Sequence, residues 1–283
     1  MNKTKQYCGF VAIIGRPNVG KSTLLNKLLK KKISITSKKP QTTRQNITGI
    51  YTSNKYQIIY TDTPGICFNR KKNIDCLIEY SYIEQVNYVE LIIFIVDGIK
   101  FTENDSKIIS KLIILNRPVI LVINKIDNIT NKNKILPYID LIRKKMNFLS
   151  IIPISAKKEI GINSLLITIK KHIPESIFFF PKNYITDKSD AFMASEIVRE
   201  KLIRFLGDEL PYSVNVKIED FNINKNNILY INGSILIKHI NQKKIIIGKN
   251  GNKIKKIGIE SRIAMEKIFK HKIQLKLWVK SLS

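Results

Sequence analysis

The sequence predicts a chain of two units: an α/β unit built on a mainly parallel sheet, then a smaller α+β unit. Three features predict this. Short β-branched apolar runs alternate with helical stretches over the first 173 residues, that order changes after a break bracketed by Pro174 and Pro181, and the charge balance swings sharply in the last third. At 283 residues the chain is long enough for two units that each bury a core. The expected boundaries are 1–173 for the first unit, 174–186 for a linker and 187–283 for the second.

In the first unit the strand-like runs are Phe10–Ile14, Ile47–Tyr51, Gln57–Tyr60, Val89–Val96, Pro118–Ile123 and Ile151–Ile154. Most are continuously apolar, as strands covered on both faces must be. Lys21–Leu29, Ile74–Val86, Asp105–Leu115, Leu136–Met146 and Ile162–His172 read as the intervening helices. Strands alternating with helices imply right-handed crossovers and ligand binding at the carboxyl ends of the strands. The second unit reads as helix Ala191–Leu206, strands Ser213–Glu219 and Ile228–Ile237, a glycine turn at 248–251, helix Ile259–Phe269 and strand Lys272–Val279, with antiparallel pairing expected. The aromatic run Phe178–Phe180 reads as a clamp that packs the linker between the units.

Composition excludes several classes. No apolar run is long enough to span a bilayer, the first ten residues carry no secretory signal, and Cys8, Cys67 and Cys76 match neither zinc spacing nor a disulfide framework. This cysteine usage points to a reducing cytoplasm. His172, His239 and His271 are scattered and read as surface or packing residues. The net charge of +27 favours a polyanionic partner, nucleic acid before an acidic membrane surface. Its placement is more informative than its size. Residues 187–237 hold 6 basic and 8 acidic side chains, whereas 238–280 hold 13 basic and 2 acidic. Lysine outnumbers arginine 41 to 8, which suits phosphate contact better than planar base reading.

The strongest motif is Gly15-Arg16-Pro17-Asn18-Val19-Gly20-Lys21-Ser22, with Thr23 after it, between an expected strand and helix. This is the GxxxxGK[ST] phosphate loop. Its backbone N–H groups surround phosphate oxygens, the helix N-terminus adds positive potential, Lys21 neutralises the β/γ-phosphates and Ser22 ligates Mg²⁺. Asp62-Thr63-Pro64-Gly65 follows another strand: Asp62 can hold Mg²⁺ through water, and the Gly65 N–H can sense the γ-phosphate. Asn124-Lys125-Ile126-Asp127 follows a third. Asp127 can accept from the ring N–H and exocyclic amine of guanine, which adenine does not offer there, so the nucleotide is GTP or GDP. Ser155-Ala156-Lys157 comes after the next strand, where the Ala156 N–H is expected to meet the guanine O6. The polar stretch Lys31–Asn46 contains Thr42 and Thr43; Thr43 is the preferred Mg²⁺ ligand and the means of ordering that loop when the γ-phosphate is present.

In the second unit Gly248-Lys249-Asn250-Gly251 forms a GxxG loop, preceded by Ile245–Ile247 and followed by Lys253, Lys255 and Lys256. Glycines there let a sugar–phosphate strand approach closely, the lysines neutralise phosphates, and Ile246, Ile247 and Ile254 are expected to support unstacked bases. Trp278 is open to two readings, a stacking platform for RNA or ordinary core packing; its alternating strand favours the second.

Taken in order, GRPNVGKST, SKKPQTTRQNITGI, DTPG and NKID resemble the translation-factor-related GTPases, and more specifically the bacterial Era GTPase family. The stretches YITDKSDAFMASEIVREKLIRFLGDELPYSVNVKIE and KKIIIGKNGNKIKKIGIESR are similar to that family's C-terminal K-homology domain. The resemblance implies a P-loop GTPase domain followed by a type II K-homology domain. It implies a monomer that binds 16S ribosomal RNA near its 3′ end during 30S subunit assembly, in the cytoplasm or peripherally on the inner face of the cell membrane. It also implies that Asn18 can hold K⁺ beside the phosphates. Ile66 stands where many GTPases place a water-orienting Gln, so slow intrinsic turnover is expected, with Lys21, Thr43, Asn18 and Gly65 carrying it. Two other readings stay open at this point: an RNA-binding assembly protein that uses GTP as a structural ligand, and a membrane-associated regulator.

Overall fold

The computed structural model describes residues 5–36, 46–62, 88–206 and 214–281. The expected helix Ile74–Val86, together with Thr42, Thr43, Thr63, Pro64, Gly65, Ile66, Cys67 and Cys76, lies outside the described residues. The chain divides into a first unit, Met1–Ser34 with Thr43–Asp187, and a second, Lys188–Ser283 with Ile35–Thr42.

In the first unit the strands are β1 (Tyr7–Gly15), β2 (Ile47–Ser53), β3 (Tyr56–Asp62), β4 (Leu91–Asp97), β5 (Val119–Asn124) and β6 (Ser150–Pro153). They form one sheet in the order β2-β3-β1-β4-β5-β6. Pairing is parallel throughout except between β2 and β3, whose tight connection through Asn54 in the left-handed region forces an antiparallel hairpin. Leu91–Val96 of β4 are fully buried, which explains their unbroken apolar run. Helices α1 (Lys21–Leu29), α2 (Glu103–Leu115), α3 (Ile135–Arg143) and α4 (Ile162–Lys171) connect the strands. α2 begins with a capping box in which Thr102 and Asp105 satisfy each other's backbone N–H, and it ends where Asn116 turns left-handed. One apolar face of α2 (Ile108, Leu112) and Ile142 of α3 close over Phe94, Val96, Leu121 and Ile123.

Residues 174–186, expected to link the units, are hydrogen-bonded onto the sheet of the first. Cys8 N–H donates to Pro174 O, Ile50 N–H to Ile185 O, and the Gln57 side chain makes a reciprocal pair with the Phe180 backbone. Phe179 meets Phe10 edge to face. The reason is that β1 and β3 leave backbone and amide groups that water cannot reach, and this segment satisfies them.

The second unit runs α5 (Asp190–Phe205), β7 (Asn215–Ile223), β8 (Ile228–Ile237), α6 (Asn241–Ile247), α7 (Asn252–Phe269) and β9 (Lys272–Ser281). Its sheet has the order β7-β8-β9. β7 and β8 pair antiparallel, as expected, but β8 and β9 pair parallel. The cause is the helical pair α6–α7, which carries the chain back along the sheet before β9 begins. α6 was not foreseen, because Ile245–Ile247 read as an apolar run before a turn. α7 starts seven residues before the expected Ile259; Ile254 and Ile257 already follow the helical spacing, and Gly258 is accommodated inside the helix. Ile231, Ile235, Ile246, Ile257 and Met265 form the core between sheet and helices.

Candidate functional site

β1 runs directly into the phosphate loop, and the loop's two outer glycines have no substitute. A Cβ on Gly15 would stand 2.5 Å from the Ile95 carbonyl oxygen, and one on Gly20 would stand 2.3 Å from Asn124 Nδ2. Gly20 also has φ +105, and Asn18 between them has φ 64. This backbone delivers the N-terminus of α1, whose first turn holds no acidic residue, to the end of the sheet. Lys21 lies buried under the loop, and its Nζ donates to Gly15 O and Arg16 O, both at 3.1 Å. Burial pushes the Lys21 ammonium down to about 8, and Asp62 acts against that shift. Arg16 is held from outside: Nε donates to the buried Asp105 carboxylate at 2.7 Å. Pro17 is half-buried, and Val19 is buried between the sheet and the loop.

Asp62, at the carboxyl end of β3, is fully buried. Its Oδ2 accepts from Ser22 Oγ at 2.7 Å and from Ser34 Oγ at 2.9 Å. The alcohol and carboxylate oxygens at this point are the hard donors that Mg²⁺ takes, so the residues present fit that ion. Thr23, half-buried, follows on the first turn of α1. Ser34 was not anticipated; a lone serine in a polar loop carries no spacing signal.

Asn124 and Lys125 do the work of joining the motifs. Asn124 is buried at the end of β5; its Nδ2 donates to Val19 O at 2.8 Å and its Oδ1 accepts from Ala156 N–H at 3.0 Å. The Ala156 N–H, expected to meet the guanine O6, donates to Asn124 Oδ1 in this structure and so positions the asparagine. Lys125, with φ 62, sends Nζ to Asn18 O at 2.6 Å and to Asp97 Oδ2 at 2.7 Å. Asp97 was missed, although its place at the end of β4 mirrors that of Asp62 at the end of β3. Asp127 accepts a 2.6 Å bond from Ser155 Oγ, and that bond, ahead of the neighbouring Lys158 and Lys157 charges, holds its carboxyl below the usual range. Lys157 itself is exposed beside this group.

In the second unit Gly248 has φ +75 and Gly251 has φ +74, with Asn250 between them at φ +52. A Cβ on Gly248 would meet Lys253 Cβ at 2.7 Å, whereas one on Gly251 would meet open space. The turn joins α6 to α7 and leaves Lys249, Lys255 and Lys256 exposed, with Ile247 and Lys253 half-buried. Ile246 is corrected: it is fully buried in the core and cannot meet a base. A cleft of about 320 Å³ opens between α7 and β9, lined by Ile254, Ile259, Arg262, Leu275 and Leu277. Trp278 is corrected as well. It is 44% exposed, on the sheet face away from the helices. Among the described residues no group of His, Cys, Asp and Glu forms a metal cluster, and no helix is long and apolar enough to cross a membrane.

Comparison with known proteins follows the same division. Residues 10–125 match the family described as "50S ribosome-binding GTPase", and residues 209–281 match the family described as "KH domain". The chain is 53% identical to GTPase Era of Yersinia enterocolitica over 276 residues, covering 98% of this chain and 91% of that one. It is 52% identical to GTPase Era of Yersinia pestis over the same shares. Among solved structures, an Aquifex aeolicus Era variant bound to GDP·AlF4⁻ superposes with a TM-score of 0.92 at 40% identity, over 98% of this chain and 94% of that one. Era in complex with MgGDPNP and nucleotides 1506–1542 of 16S ribosomal RNA superposes with a TM-score of 0.91 at 40% identity, over the same shares. Strand-end motifs of a guanine nucleotide site, a glycine loop between α6 and α7, and identity above half across both units lead to one assignment: the chain belongs to the Era family of GTPases.

Proposed function

We propose that this GTPase is a nucleotide switch that binds 16S ribosomal RNA near its 3′ end and assists assembly of the 30S subunit. One observation carries the reading: the buried Asn124 side chain ties the phosphate loop at Val19 to the base loop at Ala156. A nucleotide must therefore satisfy both ends of the site together. Gly15, Arg16, Pro17, Asn18, Val19, Gly20, Lys21, Ser22 and Thr23 hold the phosphates; Asn124, Lys125, Asp127, Ser155, Ala156 and Lys157 hold guanine, with Ala156 also orienting Asn124. Ser22, Asp62 and Thr43 would hold Mg²⁺, which would neutralise phosphate charge when bound. Thr63, Pro64 and Gly65 complete the γ-phosphate sensor.

Water attacks the γ-phosphorus and the bond to the β-phosphate oxygen breaks; the protein's part is positioning and charge neutralisation, with no covalent enzyme intermediate. Lys21, already desolvated by the loop, loses little further hydration when a phosphate replaces Gly15 O and Arg16 O as its partner. Asn18 would hold K⁺ in this reading, and the ion would supply positive charge to the phosphates. The RNA grip is formed by Ile247, Gly248, Lys249, Asn250, Gly251, Lys253, Lys255 and Lys256 over the α7–β9 cleft. The protein acts as a cytoplasmic monomer, with peripheral contact at the inner membrane face as a secondary location. By linkage, if GTP favours RNA binding, RNA favours GTP by the same free energy.

Phosphate release under multiple turnover tests the reading. GTP is hydrolysed slowly, ATP is not hydrolysed, KCl supports a faster rate than NaCl, and an RNA spanning 16S nucleotides 1506–1542 binds more tightly with GDPNP than with GDP. Binding of GTP without any release overturns the switch, and equal rates in the two salts remove K⁺ from Asn18.

A further inference from the structure

The sheet of the second unit has two faces, and only one is used by the core. Leu229, Ile231, Ile235 and Ile237 of β8, and Ile273, Leu275, Leu277 and Val279 of β9, face the helices. The intervening residues face outward, where no helix among the described residues covers them. β9 contributes Lys272, Lys276, Trp278 and Lys280 to that face, all exposed. β8 contributes Tyr230, two positions from Asn232, which pairs with Lys276, and four from Ser234, which pairs with Trp278. Two aromatic rings therefore lie on neighbouring strands about 13 Å apart along the strand direction. β7 adds Lys217, opposite Ser234. The acidic groups on this face are already engaged: Glu219 accepts from Lys280 Nζ and Ser234 Oγ, and Asp220 accepts from Asn232 Nδ2.

We infer that this outer face is a second contact surface for single-stranded RNA, on which a base stacks against Trp278 while Lys272 and Lys276 neutralise the flanking phosphates. The inference rests on the RNA-binding reading above and extends it beyond the glycine loop. Half of a large apolar ring in water is a cost that a stacked base removes, and stacking tolerates any base because every base has a π face. Lysines alternating with an indole on an open sheet are the combination that tracks a flexible polyanion. Continuity supports the same occupant. β9 is an edge strand, and its successive residues point to opposite faces, so Leu275 and Leu277 of the α7–β9 cleft alternate with Lys276 and Trp278. A strand leaving the cleft passes round this edge onto the outer face.

Trp278 is the sole tryptophan of the chain, so its emission reports on this face alone. The test titrates the full chain with RNA of 16S nucleotides 1506–1542 and with nested fragments shortened from either end to about four nucleotides. Bound RNA is followed by anisotropy and the indole by fluorescence. Long fragments quench Trp278, and fragments that fill only the glycine loop bind without quenching it. Trp278→Ala weakens long fragments roughly tenfold and leaves the shortest unchanged. Trp278→Phe restores most of the loss, and Lys276→Glu lowers the slope of affinity against salt for long fragments only. GTP turnover without RNA is the same in all three variants. Long RNA bound with no change in emission, or with the same affinity by Trp278→Ala, overturns the inference and leaves the glycine-loop reading standing. Loss of a small-subunit ribosomal protein from Trp278→Ala with RNA affinity unchanged also overturns it, in favour of a protein partner. Failure of every fragment to bind the unaltered chain removes the RNA reading itself.

Discussion

Asn124 reaches across 105 residues of sequence to donate a 2.8 Å hydrogen bond to the Val19 carbonyl. Its other amide atom holds the Ala156 N–H, so one buried side chain sets the distance between the phosphate loop and the base loop. The asparagine makes them one object.

Asn124→Ala removes both bonds and strands the Val19 carbonyl and the Ala156 N–H in a buried place. The expected loss is about 2–3 kcal/mol of stability in the first unit, from two unsatisfied backbone groups. Urea denaturation without nucleotide measures it, and GTP affinity falls together with it. A variant as stable as the parent would show that the two loops hold their spacing without this residue.

Ser155→Ala should move an acid limb. The bond from Ser155 Oγ is the main reason the Asp127 carboxyl titrates below its ordinary value. Guanine needs the carboxylate, so GTP affinity is present above the Asp127 pKa and is lost as pH falls through it. Without Ser155 that pKa rises, and the loss occurs at higher pH. A fluorescent GDP analogue titrated from about pH 6 down to pH 3 follows the shift. The companion change Asp127→Asn replaces an acceptor with a donor and lowers GTP affinity by at least ~100-fold.

Lys21 carries a base limb. Burial lowers its ammonium to about 8 in the free site, and phosphate oxygens favour the charged form when nucleotide binds. Affinity is therefore full well below pH 8 and falls as pH rises through that value, by roughly threefold to fourfold between pH 7 and 8.5. Lys21→Arg, which does not titrate in this range, gives a flat profile at a lower affinity. The stability of the free protein runs the other way. Its folded pKa is below the unfolded one, so the cost of burying the charge is present below pH 8 and is relieved as pH rises from 8 toward the unfolded value near 10.5.

The two glycines of the second unit should respond differently to alanine. Gly251→Ala adds a methyl group that meets nothing, so its cost is the left-handed backbone alone, about 1–2 kcal/mol. Gly248→Ala carries that cost and a 2.7 Å approach to Lys253 Cβ, so the start of α7 must shift. Thermal unfolding ranks the two, and RNA affinity follows the same order. Equal losses of thermal stability would mean that the start of α7 shifts to admit the Gly248 methyl group at no cost.

Much of the first unit was legible along the chain because its strands are buried on both faces. Leu91–Val96 and Val119–Ile123 are continuous apolar runs, and Asp97 and Asn124 follow them at the carboxyl ends of their strands. Helix α1 matches its expected bounds, since the phosphate loop defines where it starts. Legibility failed where a residue's role depends on a distant neighbour. Ser34 and Asp97 matter only because folding brings them to Asp62 and Lys125, and the bond from Ala156 N–H to Asn124 joins residues 32 apart in the chain. Residues 174–186 read as a linker because prolines and aromatics carry no sign of the sheet groups they satisfy.

The amino-acid order alone determined the two-unit division, the guanine nucleotide chemistry and the glycine loop with its lysines, because each depends on residues adjacent in the chain or on a local period. Tertiary structure alone decided which face of β9 is covered, that β9 runs parallel to β8, and that Trp278 looks outward while Ile246 looks in. A strand alternates whatever packs on it, so its pattern names two faces without saying which one the helices will choose.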